Sequence, residues 1–324
     1  MKTTAAGLAA FSGTRFLTAE ESSPKMIWGE LLHLGQNMWG DTERAYTPPT
    51  DKFSCNVPLW NELTEEMVRS GLNLVVIDLG EAVRYESHPE LAVEGAWSVE
   101  RLREELARLR GLGLEPIPKL NFSTCHDYWL GDYARMVSTP KYYEVCADII
   151  KEVSAIFDQP RFFHLGYDEE IYDVQKTYDY VVIRQGELWW HDFLFFVSNV
   201  EKAGVRPWIW SDYYWHHPEE FLNRMPKSVV QSNWYYGEKF DTDEIIAVPA
   251  YHALDQAGFD QIPCGSNWSC DTNFKGTVDF CCEQIAPERL LGFLMAPWRF
   301  TIENDREPLF KSIQQVKEVI EARS

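Results

Sequence analysis

From Met26 onward, short apolar runs alternate with longer stretches in which apolar residues recur every three or four positions. The runs predict eight strands, at residues 31–35, 74–78, 115–120, 161–166, 207–211, 228–232, 261–265 and 291–296. Prolines in the third and seventh count against regular pairing there, because proline has no N–H to give to a ladder. The longer stretches predict helices. Ser98 caps one whose face is Val99, Leu102, Leu106 and Leu109, and which Gly111 and Gly113 stop. Thr139 followed by Pro140 opens another, carrying Tyr143, Cys146, Ile150, Val153 and Phe157. The remaining helices are expected at 60–70, 186–203, 218–224, 242–256, 273–285 and 308–322.

Eight strands alternating with eight helices in about 300 residues predict a parallel sheet closed into a single (β/α)₈ TIM barrel, an α/β fold. Links entering the strands are short, such as 71–73 and 111–113, whereas those leaving them are long, such as 41–58, 80–97, 121–139 and 167–185. Function in such barrels sits on the face where strands run into helices, and that is the elaborated face here. One barrel is expected from residue 26 to 324. Residues 1–25, with one Lys, an Ala-rich apolar stretch and a polar tail, read as an export-signal-like or disordered leader. The export reading places the protein in a bacterial periplasm or outside the cell.

Charge narrows the partners. Lys plus Arg number 30 and Asp plus Glu 50, a net −20, which argues against nucleic acid and anionic membrane. No apolar run approaches the ~20 residues that span a bilayer. The seven cysteines include no CxxC pair, so no structural metal centre is expected, and no cofactor-binding loop is visible. Cys264 and Cys270 fit either a short disulfide loop or reduced thiols. The 13 Trp suit a carbohydrate partner, since indole faces pack on the C–H surfaces of sugar rings.

The strand ends carry the chemistry. Gln36 follows the first strand, Asn121 and His126 the third, and Asp168 with Glu169 the fourth. Asp212 and Tyr213 follow the fifth strand, Trp234 the sixth, Trp268 the seventh and Trp298 the eighth. Carboxylates, amides and indoles in one collar are what a glycosidase needs: a proton donor, hydroxyl partners and flat walls. Neighbouring strand residues project to opposite sides, so Asp168 and Glu169 are not expected to flank one bond. His216-His217 lacks metal-ligand spacing, and Trp189-Trp190 reads as core.

The run His164-Leu-Gly-Tyr-Asp168-Glu169 resembles the H-x-G-G/A-D-E motif of glycoside hydrolase family 20, the β-hexosaminidases. Pro118-Lys-Leu-Asn121 with His126, Trp210-Ser-Asp212, Gln231-Ser-Asn-Trp234 and Pro297-Trp298 are similar to that family's third-, fifth-, sixth- and eighth-strand segments. The resemblance implies an exo-acting hydrolase for a terminal N-acetylhexosamine. Glu169 would be the general acid. Asp168 would orient the substrate's 2-acetamido group, which attacks in place of a protein nucleophile. His126 would hold Glu169, and Tyr167 and the tryptophans would line the pocket. The chain departs from the family in having no arginine at 32–37, Asn121 in place of an aspartate, Tyr167 in place of Gly or Ala, and no tyrosine near Asn267. Two alternatives follow from the departures. One is a glycosidase using a second protein carboxylate, such as Asp212 or Asp78. The other is a barrel that binds sugar without cleaving it.

Overall fold

Eight parallel strands carry the architecture: β1 (Ile27–His33), β2 (Leu74–Asp78), β3 (Glu115–Lys119), β4 (Phe162–His164), β5 (Arg206–Trp210), β6 (Val230–Ser232), β7 (Cys264–Gly265) and β8 (Gly292–Met295). They hydrogen-bond in the order β6-β5-β4-β3-β2-β1-β8-β7. The gap between β6 and β7 is spanned by the isolated parallel bridges Gln231–Gln261 and Trp234–Cys264, so the sheet is a nearly closed (β/α)₈ barrel. This is a computed structural model, and it describes residues 25–43, 48–241 and 243–323. The leader read at the start of the chain lies outside the described residues but for Lys25.

Helices follow the strands: α1 (Val57–Arg69), α2 (Val99–Leu112), α3 (Pro140–Ile156), α4 (Glu187–Lys202), α5 (Pro218–Arg224), α6 (Pro249–Gln256), α7 (Asn273–Gln284) and α8 (Arg306–Arg323). Ser98 and Thr139 cap α2 and α3 as expected, each accepting a backbone N–H from three residues on. Gly113 ends α2 in the left-handed region. Two elements begin four or more residues from the expected position. β1 begins at Ile27, four residues early, because all seven of its residues are buried and apolarity alone does not mark its start. The sixth helix starts at Pro249 rather than 242, since proline is favoured in the first turn; Thr242 itself lies outside the described residues.

Alternation along the strands builds two cores. Ile27, Leu31, Leu74, Val76, Ile117, Phe162, Trp208 and Leu294 fill the barrel interior. Trp28, Leu32, Val75, Ile77, Phe163 and Phe293 face the helices. At the C-terminal ends the inward series turns polar on β1 to β4. Lys119 Nζ donates to Asp78 Oδ2 at 2.5 Å, and His33 Nδ1 stands 3.4 Å from the same oxygen. This ion pair floors the mouth of the barrel.

One outward position breaks the apolar rule. Glu30 is fully buried, with Oε1 2.6 Å from Ser312 Oγ on α8, and Ser312 Oγ also lies 2.7 Å from Leu309 O. A hydroxyl has a single proton, which Ser312 must share between Glu30 Oε1 and Leu309 O, so its support of an ionised Glu30 is partial. Burial, only partly offset by Ser312, pushes Glu30 up to about 8 from 4.5. The unfolded chain ionises at the lower value, so stability should fall as pH rises from about 4.5 to 8, by on the order of 4 kcal/mol at most. Glu30→Gln should flatten that slope and raise Tm at pH 8. A melting series from pH 5 to 8 checks it, and parallel curves for the two proteins would refute it.

Candidate active site

β4 ends at His164, two residues before the chain turns sharply. Gly166, Tyr167 and Glu169 all take positive φ, of 69°, 75° and 63°. Glycine is required at 166, where a Cβ would collide with Asn121 Oδ1. Left-handed tyrosine and glutamate are costly, of order 1–3 kcal/mol each, and persist only where the surroundings over-determine them. Here the loop after β3 does so. Asn121 Oδ1 accepts the N–H of Tyr167 at 3.2 Å, Ser123 Oγ donates to Asp168 O at 2.5 Å, and Cys125 Sγ donates to Glu169 O at 3.3 Å. Farther along, the fully buried Arg184 clamps Glu170 with Nε and Nη2, while its Nη2 also reaches Phe122 O at 2.5 Å.

This geometry corrects one expectation. Asp168 and Glu169 do not project to opposite sides, because they stand beyond the strand in a left-handed turn. Both line one cavity and both face His126. Its Nε2 is 3.4 Å from Asp168 Oδ2 and 3.2 Å from Glu169 Oε2. Asn121 Nδ2 donates to the other Asp168 oxygen at 2.8 Å. Burial alone would lower His126, but the charges of Asp168 and Glu169 outweigh it and raise it to about 10. Burial likewise works against ionised Asp168, yet His126, Lys119 and Asn121 together hold it at about 2. An aspartate at 121 would set a second negative charge against Asp168; asparagine supplies a donor instead.

The cavity measures about 230 Å³. Met38 and Trp39 line it from the loop after β1, and Asn121 and His126 from the loop after β3. Trp234 and Tyr236 come from the end of β6, Trp268 from β7 and Trp298 from β8. Trp234 and Tyr236 stack with ring centroids 5.1 Å apart, and the Arg299 guanidinium lies 4.1 Å over Trp268. The wall is therefore largely aromatic, with its charged groups gathered on the β3 and β4 loops.

Of the residues expected at the site, Asn121, His126, Asp168, Glu169, Trp234, Trp268 and Trp298 converge on this cavity. Asp212 stands behind it. Its Oδ2 accepts the N–H of Glu169 at 2.8 Å and its Oδ1 that of Trp234 Nε1 at 3.3 Å. Burial and the Asp168 charge raise it to about 8. Besides Asp212, three expected lining residues do not reach the cavity. The Gln36 N–H donates to Glu81 Oε1 at 2.8 Å, so Gln36 belongs to the turn after β1. Tyr167, turned outward by its positive φ, packs on Trp189 and Phe193 at 5.2 Å with Arg184 4.5 Å over its ring. Tyr213 stacks on Trp189 at 3.7 Å. Met38, Trp39 and Tyr236 line the cavity without having been expected. All seven cysteines are free thiols; Cys264 is buried beneath Tyr236, its Sγ 3.9 Å from the tyrosine hydroxyl.

No protein-family model and no curated protein matches the sequence. The solved structures do. An exo-β-N-acetylglucosaminidase from Vibrio harveyi, in complex with N-acetylglucosamine, superposes with a TM-score of 0.62 at 16% identity over 91% of this chain. The barrel has the fold of glycoside hydrolase family 20. A β-N-acetylhexosaminidase from Bacteroides fragilis (TM-score 0.58, 14% identity) covers 90% of the chain and is itself covered over 66%. A mutant Streptomyces plicatus β-hexosaminidase with product bound (0.60, 12%) covers 90% and is covered over 64%. The chain spans 54% of the length of the Vibrio family 20 protein. At these identities the likeness is one of fold.

Proposed function

We propose that the chain is a glycoside hydrolase that removes a terminal N-acetylhexosamine by the substrate-assisted retaining route. The observation that carries this reading is the adjacent Asp168–Glu169 pair gathered on His126 in an aromatic-walled cavity at the barrel mouth. Glu169, the more exposed of the two, gives its proton to the glycosidic oxygen. Asp168, ionised throughout the neutral range, receives the acetamido N–H and balances the positive charge that builds on that nitrogen as its carbonyl oxygen attacks the anomeric carbon. Tyr236 lines the same cavity. The indoles of Trp234 and Trp298 wall the sugar ring.

The other carboxylates weighed as nucleophiles are otherwise engaged. Asp78 is paired with Lys119, and both oxygens of Asp212 accept hydrogen bonds. Among the described residues no further carboxylate lines the cavity. That supports a nucleophile supplied by the substrate. A panel of chromogenic glycosides with and without the 2-acetamido group tests the reading. Cleavage confined to the acetamido sugars is expected. Cleavage of plain glucosides would transfer the attack to a protein carboxylate, and binding with no cleavage would leave a sugar-binding barrel.

A further inference from the structure

The His126–Asp168–Glu169 cluster has a second property, set by its dimensions. One nitrogen and two carboxylate oxygens, one from each residue, lie within 4.8 Å of one another. The two edges that meet at His126 Nε2 are 3.2 and 3.4 Å. A tetrahedral dication with nitrogen and oxygen ligands at ~2.0–2.1 Å has ligand–ligand edges of ~3.3–3.4 Å. Among the described residues neither ring nitrogen of His126 makes an aligned hydrogen bond, although the residue is only 4% exposed. The imidazole is thus buried and aimed between the two carboxylates that are its ion-pair partners, so a dication bound there takes the place of the Nε2 proton, which leaves to solvent. One side of the triangle opens into the cavity.

The geometry points to a binding site for a Zn²⁺-type dication, held by His126 Nε2, Asp168 Oδ2 and a Glu169 carboxylate oxygen, with its fourth position facing the cavity. Three protein ligands and one open position is the pattern of catalytic zinc sites rather than closed structural ones. One imidazole and two carboxylates suit borderline ions such as Zn²⁺ and Co²⁺. The outer support is partial. Asn121 Nδ2 fixes the non-ligating oxygen of Asp168, whereas His126 Nδ1 has no hydrogen-bond partner among the described residues to orient the ring. The ion therefore binds reversibly and yields to a chelator. Because it takes the oxygens that the proposed hydrolysis needs, it acts there as an inhibitor. That consequence rests on the proposed function; the binding itself does not.

Titration of the purified chain with Co²⁺, followed by visible absorption and with no sugar present, tests the site directly. One equivalent should give the intense bands of a low-coordinate Co²⁺ centre, displaced by Zn²⁺ and abolished by EDTA. His126→Gln should weaken binding at least tenfold. Glu169→Gln, at a half-exposed position, should weaken it similarly and keeps the test valid if the buried substitution unfolds the chain. Absence of bands up to millimolar Co²⁺, or bands unchanged in both variants, overturns the inference. Bands without any glycosidase activity would leave the site standing and remove the proposed function. Hydrolysis without bands would do the reverse.

Discussion

Glu169→Gln is expected to slow hydrolysis of glycosides with poor leaving groups by roughly 10²–10⁴-fold, the usual yield of a positioned general acid. Aryl glycosides with acidic phenols should lose far less, because their leaving oxygen departs without a proton. The contrast is the informative quantity. Glutamine is close in shape to glutamate, and the Glu169 N–H bond to Asp212 Oδ2 and the Cys125 bond to Glu169 O involve only the main chain at 169. The loop should therefore keep its course, and the loss should report chemistry rather than misfolding. Measuring kcat on an alkyl and an activated aryl glycoside of the same sugar decides it. Equal losses on both substrates would take the proton-donor role away from Glu169.

Asp168→Asn should cost roughly 10²–10³-fold in turnover with either leaving group, the scale of removing one preorganised electrostatic contact. The amide can still accept the acetamido N–H, but it supplies no charge to a nitrogen becoming cationic. It also deprives His126 of one of the two carboxylates that raise it to about 10. A thiazoline mimic of the cyclised intermediate should bind the unaltered protein tightly and the variant poorly. Asp168 stays ionised down to about pH 2, so its protonation does not set an acid limb of activity between pH 4 and 6. A variant that kept full turnover and full thiazoline affinity would show that the charge at 168 has no part in the reaction.

Much of this was legible in the chain because parallel strands buried on both faces leave conspicuous apolar runs. β2 falls at the expected residues, and β3, β5 and β8 within one or two. The catalytic candidates were legible because His164 to Glu169 concentrates unusual residues at one strand end. What escaped was side-chain direction beyond the strands. Periodicity says nothing about a left-handed residue, so Tyr167 was expected in the cavity that its own φ of 75° turns it away from. Met38, Trp39 and Tyr236 were missed because they sit four to six residues past their strands, where the course of a loop depends on tertiary contacts such as Glu81 accepting the Gln36 N–H. The cluster on His126 was invisible as a ligand set because its members come from separate loops, 42 residues apart at the nearest.

Polar and aromatic contributions to the cavity come from different stretches of chain. The ionisable groups hang on the loops after β3 and β4, which are laced to each other by Asn121, Ser123, Cys125 and Arg184. Most of the walls arrive from the turns after β1, β6, β7 and β8. The barrel mouth is thus divisible into a sector of ionisable groups and a largely aromatic sector. On the proposed function, loop exchange confined to the aromatic sector should redirect which sugar is accepted while the ionisable sector is inherited intact, and a library built on that boundary should diversify selectivity without having to rediscover turnover.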